Sequence, residues 1–133
     1  GYPCYRNLLS ALDIEAVEVP VGLSSTFQPT LEDMKAAGGS DLDGLLIASP
    51  ANPTGSMLKD KELRNILAYC RDNKIRYISD EIYHQIIYGD MTNSAVAYDS
   101  SCVVINSFSK FFSMRGWRVG WMVVPEDHIR EIE

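Results

Sequence analysis

The stretch CVVINSFSKFFSMRGWRVGWMVV, residues 102–124, decides the predicted fold because it contains two apolar runs separated by only ten residues. The first run, 102–106, is typical of a buried strand, and the second, 117–124, predicts a strand that ends at Pro125. A parallel connection between two strands needs about a dozen or more residues, usually with a helix. Because only residues 107–116 intervene, we expect strand 117–124 to run antiparallel to strand 102–106.

Apolar runs alternate with amphipathic helical patterns in the central part of the chain. Two further runs predict strands at 44–49 and 75–79, and the first is apolar throughout, as in strands covered on both faces. Between them, residues 59–73 carry apolar side chains at the i, i+3, i+4 and i+7 positions of a helix. The alternation predicts an α/β fold with a mostly parallel sheet, helices on both faces and one antiparallel strand at 117–124.

The two ends of the chain add shorter elements to this prediction. Residues 3–13 predict a helix, and the alternating sequence EAVEV at 15–19 predicts a half-buried strand. Thr30, with Asp33 at the capping-box position, predicts the start of a short helix. A last helix is expected after Pro125.

Composition and charge are those of an ordinary globular protein. The 133 residues fit one domain with a real core, with 46% hydrophobic and 23% charged residues. A net charge of −6 argues against nonspecific binding to nucleic acid or anionic membranes, and no apolar run approaches the ~18 residues of a membrane helix. Cys4, Cys70 and Cys102 lack metal-ligand spacing. We therefore expect a cytoplasmic protein without a metal site and without nucleic-acid or membrane partners.

Three polar segments each follow directly after a strand of the parallel type. The carboxyl ends of parallel strands meet at one edge of a sheet, which is where α/β proteins bind their ligands. We therefore expect the three segments to emerge together. They are PANPTG at 50–55, DEIYHQIIY at 80–88 and SFSK at 107–110.

Each segment also has a purely structural interpretation. NPTG is a common turn signal, Asp80 is typical of a helix N-cap, and Lys110 alone is typical of a solvated surface charge. Their coincidence at one edge instead favours a shared chemical role. An aldehyde cofactor with a ring nitrogen and a phosphate needs a lysine for a Schiff base and an acid for the nitrogen. It also needs hydroxyl and guanidinium donors for the phosphate. Ser107, Ser109 and Arg118 have side chains of these kinds.

At these residues the sequence resembles the class I/II aminotransferases, which are pyridoxal-phosphate-dependent enzymes of fold type I. The elements SPANPTG, SDEIY and SFSKFFSMRGWRVGW occur in the order found in the family, and the resemblance covers essentially the whole chain. It implies pyridoxal 5′-phosphate (PLP) as the cofactor. It also implies that residues 1–133 are the central part of the large PLP-binding domain, with the N-terminal and C-terminal parts of the full protein outside this stretch.

The resemblance implies roles for eight residues. Lys110 would form the aldimine with the cofactor and carry the proton between the substrate Cα and the cofactor. Asp80 would keep the ring nitrogen protonated, and Tyr83 would bond the 3-oxygen of the ring. Lys110, Asp80 and Tyr83 are thus the expected catalytic residues. They also bind the cofactor, together with Asn52 at the 3-oxygen, Tyr2 on the ring face, and Ser107, Ser109 and Arg118 at the phosphate.

The resemblance implies an aminotransferase that moves an amino group from an amino acid to a 2-oxo acid and is a homodimer as a full-length protein. The family's upstream phosphate loop and downstream carboxylate-binding arginine are not in this stretch, so the chain alone is expected to be inactive. Two alternatives stay open: a PLP-dependent C–S β-lyase on the same fold, and the aminotransferase-like effector domain of a transcriptional regulator. Fold alone does not choose between them.

Overall fold

A four-stranded sheet in the order β1-β2-β3-β4 forms the centre of the protein, as seen in a computed structural model that describes residues 2–89 and 91–132. The pairs β1/β2 and β2/β3 are parallel, and β3/β4 is antiparallel. The predicted mixed sheet with one antiparallel strand is confirmed. The strands are β1 (Gly44–Ala48), β2 (Arg76–Asp80), β3 (Val103–Ser107) and β4 (Gly120–Val123).

Four α-helices accompany the sheet within the described residues. The predicted capping box of α2 is present: the Thr30 hydroxyl accepts a hydrogen bond from Asp33 N at 3.2 Å, and the Asp33 carboxylate accepts one from Thr30 N at 2.9 Å. In α1, Pro3 begins the helix, where its missing N–H costs nothing. The helices are α1 (Pro3–Ala11), α2 (Leu31–Ala37), α3 (Asp60–Asp72) and α4 (Ile129–Ile132).

The core lies between one face of the sheet and helices α2 and α3. Leu45 and Ile47 of β1 are buried in one cluster with Tyr77 of β2, and Met34 of α2 and Ile66 of α3 are completely buried in the same cluster. Burial alternates along β1 and β2, so the opposite face of these strands is only partly covered. The apolar run at 44–49 therefore does not produce a strand buried on both faces in this chain.

One predicted strand is absent, and the predicted start of another is wrong. Residues 15–19 form no strand and are mostly exposed, and no strand in the described part of the chain pairs with them. Alternation specifies which side chains face water, but a strand also needs a hydrogen-bonding neighbour. The last strand begins at Gly120 rather than at residue 117, because Arg115–Trp117 form a 3₁₀ turn and Arg118 adopts a left-handed conformation with φ of 52°.

The helices of the described residues are short. The longest of these four, α3, has 13 residues, and none in this part of the chain has the length and apolar character needed to cross a bilayer. Within the same residues, no group of three or more His, Cys, Asp or Glu side chains is arranged to hold a metal ion.

Thiol reactivity tests the packing of the core. Cys70 and Cys102 are buried, and burial, followed by the charge of Asp99, raises the pKa of each thiol to about 11, whereas Cys4 is exposed. Because the thiolate is the reactive form, we expect only Cys4 to react rapidly with dithionitrobenzoate in the native protein at about pH 8. All three cysteines should react after denaturation. Rapid labelling of Cys70 or Cys102 in the native state would contradict this packing.

The close approach of β3 and β4 tests the sheet. A Cβ atom at Gly120 would lie 2.7 Å from the carbonyl oxygen of Asn106 and 3.2 Å from the Cβ of Ser107. Because backbone must move to admit it, we expect Gly120→Ala to lower the free energy of unfolding by about 1–3 kcal/mol, measured by urea denaturation. Gly116→Ala is the matched control, since a Cβ there has nothing within 4 Å. Equal stability of the two variants would show that the strands are not this close.

Candidate active site

Asp80 ends β2 at the centre of the carboxyl edge of the sheet. Its register partners are Ala48 of β1 and Ile105 of β3. One carboxylate oxygen, Oδ1, accepts a hydrogen bond from the backbone N–H of Ile82 at 3.1 Å, which is the local bond expected of a turn. The other, Oδ2, accepts a hydrogen bond from the hydroxyl of Tyr5 in α1. Asp80 therefore does more than cap the turn that follows it.

Lys110 follows β3 and directs its amine toward Tyr83. The Nζ atom lies 5.6 Å from the centroid of the Tyr83 ring, a distance at which a cation interacts with an aromatic face. The Lys110 carbonyl accepts a hydrogen bond from Ser113 N at 3.0 Å, which closes a turn around the lysine. The side chain is half-buried and forms no ion pair with the described residues. Within the described residues, the amine thus lies beside the ring of Tyr83 and is not paired with a carboxylate.

Tyr5 links the first helix to both Asp80 and Tyr2. The rings of Tyr2 and Tyr5 pack edge to face, with centroids 5.6 Å apart and planes at 76°. Burial raises the pKa of Tyr5 above its ordinary value, and the hydrogen bond to Asp80 and the negative charge of Asp80 raise it further. Tyr2 and Tyr83 add smaller effects in the same direction. Asp80, Tyr2 and Tyr83 therefore all act on the ionisation of Tyr5.

The positive charge of Arg118 affects the pKa of Tyr2. The pKa of Tyr2 is raised, with the neighbouring Cys4 as the largest cause, followed by desolvation and by Tyr83, whereas Arg118 lowers it. The charges of Tyr83 and Arg118 therefore act on Tyr2 in opposite directions.

Ser107, Ser109 and Arg118 lie near the end at which β3 and β4 pair. Ser107 ends β3 and pairs with Gly120 of β4. Gly120 lies two residues after Arg118 in the sequence. The Ser107 Oγ accepts a hydrogen bond from Ser109 N at 3.0 Å, which leaves the Ser107 hydroxyl proton available as a donor. Arg118 donates one Nη1 bond to Arg115 O at 3.3 Å, and its other N–H groups bond to none of the described residues. Hydroxyls and a guanidinium are the donors that a phosphate group prefers.

Asn52 shares a groove with Tyr83. It lies in the loop after β1, where Gly55 N donates to Ala51 O at 2.8 Å and closes the turn. The groove has a volume of about 440 Å³. Besides Asn52 and Tyr83, apolar side chains such as Met57 line much of its wall. The segments at 50–55 and 80–88 therefore adjoin each other at the sheet edge, as their positions after parallel strands predict.

Sequence reasoning missed two residues of this region. Tyr5 is predicted only as part of a helix, although its position three residues after Tyr2 places both aromatic rings on one side of the first turn. Glu81 is buried, and its Oε1 accepts hydrogen bonds from Ser79 Oγ at 3.0 Å and from Ala95 N at 2.8 Å. The available signal for Glu81 is a second acidic residue directly after Asp80.

Known proteins similar to this chain are aminotransferases. The sequence profile of the family described as "Aminotransferase class I and II" matches residues 1–133. The chain is 48% identical over 127 residues to a valine–pyruvate aminotransferase of Mycobacterium tuberculosis, covering 94% of this chain and 32% of that protein. It is 38% identical over 121 residues to a probable aspartate/prephenate aminotransferase of Aquifex aeolicus, covering 87% and 31%.

Solved structures show the same relationship. A crystal structure of an aminotransferase from Mycobacterium tuberculosis matches with a TM-score of 0.93 and 45% identity, over 99% of this chain and 36% of that one. Aspartate aminotransferase from Thermus thermophilus with maleate matches with a TM-score of 0.89 and 26% identity, over 95% and 33%. The chain spans about a third of the length of these relatives. Because the family profile matches from the first residue to the last, the chain belongs to the class I and II aminotransferase family.

Proposed function

We propose that the full protein is a PLP-dependent aminotransferase that moves an amino group from an amino acid to a 2-oxo acid. The observation that carries this proposal is the position of the Lys110 amine 5.6 Å from the centre of the Tyr83 ring, in the segment that begins with Asp80 at the end of β2. Family membership supports PLP as the cofactor, and the aminotransferase names of the relatives support amino transfer over C–S cleavage or a regulatory role.

The donors and acceptors at the sheet edge fit the chemistry of PLP. The Lys110 amine is half-buried and, within the described residues, not held in an ion pair. It is therefore suited to forming a Schiff base with an aldehyde. The Asp80 carboxylate is an acceptor for a protonated ring nitrogen, and Ser107, Ser109 and Arg118 are donors for a phosphate. When bound, PLP supplies an electron sink for the negative charge that develops at the substrate Cα.

Each residue contributes a separate step to the proposed reaction. The Lys110 amine would hold the cofactor and, once displaced by the substrate amine, would carry the proton between the substrate Cα and the cofactor. Asp80 holds a proton on the ring nitrogen, so that the ring stays able to accept electrons. Tyr83 and Asn52 would donate to the 3-oxygen of the ring, and Tyr2 would cover its face.

Several features of the whole protein are part of the same proposal. The substrates are an amino acid and a 2-oxo acid, and residues 1–133 are the central part of a larger PLP-binding domain. The family resemblance supports a homodimer, and the composition supports a cytoplasmic location. That this stretch alone is inactive stays a prediction, because the rest of the phosphate site and the carboxylate-binding arginine belong elsewhere in the full protein.

Covalent labelling tests the role of Lys110. Borohydride reduction of the full-length holoenzyme, followed by peptide mapping, should place the pyridoxyl group on Lys110, because its amine lies beside Tyr83 at the sheet edge. Lys110→Ala should abolish both the label and turnover. Lys61→Ala is the control, since Lys61 is exposed on α3 and should leave both unchanged. A label on Lys59, Lys61 or Lys74 would overturn the assignment.

Neutralising Asp80 tests the electron sink. We expect Asp80→Asn to keep the label on Lys110 but to slow exchange of the substrate Cα hydrogen, followed with deuterated amino acid, by at least ~100-fold. The physical reason is that an amide does not hold a proton on the ring nitrogen. Asp60→Asn is the control, because Asp60 also accepts a tyrosine hydroxyl but at the start of α3. Near wild-type exchange in Asp80→Asn would show that the carboxylate only caps the turn at Ile82.

A further inference from the structure

We infer that Tyr5 is a positioning residue for the reaction: its hydroxyl fixes the Asp80 carboxylate in the orientation that receives the cofactor's ring nitrogen. This inference rests on the proposed function and deepens it. The observation behind it is the hydrogen bond from the Tyr5 hydroxyl to Asp80 Oδ2, which joins α1 to the end of β2 across 75 positions of sequence.

Without Tyr5, only local structure would hold the Asp80 side chain. Its Oδ1 is bonded to the backbone of Ile82, two residues further on, and a single bond to one oxygen leaves the carboxylate able to rotate. The bond from Tyr5 engages the second oxygen. Each carboxylate oxygen has more than one lone pair, so both bonds leave acceptor capacity for a further N–H donor. Two fixed hydrogen bonds thus define the direction of the lone pairs of Asp80 that stay unused.

The surroundings of Tyr5 favour a role at the site over a role in packing. Helix α1 buries none of its residues, and Leu8 on the helix and Leu12 directly after it are 60% and 61% exposed. Tyr5 itself is half-buried. Within the described residues, the bond from Tyr5 to Asp80 is the side-chain hydrogen bond that joins α1 to the sheet. A contact made by a helix with so little buried surface contributes little to the core.

Tyr5 also connects two of the predicted cofactor contacts. Its ring packs edge to face against Tyr2, the predicted ring-face residue, while its hydroxyl bonds Asp80, the predicted ring-nitrogen residue. A single side chain therefore sets the position of one contact relative to the other.

The test is Tyr5→Phe in the full-length holoenzyme, which removes the hydroxyl and keeps the ring against Tyr2. We expect kcat to fall about 10-fold, in the range of one hydrogen bond to a charged group, with a smaller change in KM. The ¹⁵N NMR signal of the ring nitrogen of labelled PLP should move toward that of the unprotonated ring. A purely structural role would lower stability without moving this signal.

Tyr98→Phe is the matched control. The Tyr98 hydroxyl donates to Asp60 Oδ2 at 2.6 Å, so the variant loses the same kind of bond away from the sheet edge. It should leave kcat and the ring-nitrogen signal unchanged. In the Asp80→Asn background, Tyr5→Phe should cause no further loss of kcat, since Tyr5 acts through Asp80. Additive losses, or an unchanged nitrogen signal in Tyr5→Phe, would overturn the inference.

A measurement on the apoprotein separates failure of this inference from failure of the proposed function. With ¹³C-labelled tyrosine, Tyr5 should stay protonated through the range in which ordinary tyrosines ionise, near about pH 10, and Asp80→Asn should bring its ionisation to lower pH. If this holds but full-length protein neither binds PLP on Lys110 nor transaminates, the proposed function fails while the bond stands. If Tyr5 ionises normally and independently of Asp80, the inference fails whatever the enzyme does.

Discussion

The parallel register of β1, β2 and β3 is the constraint on which the candidate site depends. Ala48, Asp80 and Ile105 are aligned across the three strands, so the segments that follow them leave the sheet at the same edge. Parallel strands require long connections, which is why residues as distant in sequence as Asn52 and Lys110 reach one edge. A slip of one residue in β2 would turn Asp80 to the opposite face of the sheet and separate it from its neighbours.

Buried polar side chains hold the segments at that edge. Gln28 donates to Ala48 O at 3.2 Å and to Ser56 O at 2.8 Å, which ties both ends of the loop that carries the predicted amide donor. Asn106 Nδ2 donates to the carbonyl of Glu81 at 3.0 Å, which joins the end of β3 to the segment after β2. Both Gln28 and Glu81 are buried. Because a buried polar group without a partner is costly, these bonds favour a single arrangement of the loops.

The parts of the fold that were predictable are those whose pattern directly reflects burial. The apolar runs of β1, β2 and β3 and the apolar stripe of α3 correspond to side chains packed in the core, so their positions follow from the sequence to within a few residues. Residues 15–19 show the limit of such patterns, since alternation does not reveal whether a neighbouring strand exists. The late start of β4 depends on the left-handed backbone of Arg118, which apolar periodicity does not encode.

The sequence by itself determined the chemistry available at the sheet edge: a lysine, an acid, hydroxyls and an arginine, in segments that each follow a strand. Their order also determined membership of the class I and II aminotransferase family. Only the tertiary structure decided that Tyr5 bonds Asp80 and that Glu81 is buried and bonded to the backbone of Ala95. The physical reason is that these contacts join elements distant along the chain, and local patterns carry no information about which side chains meet after the helices pack on the sheet.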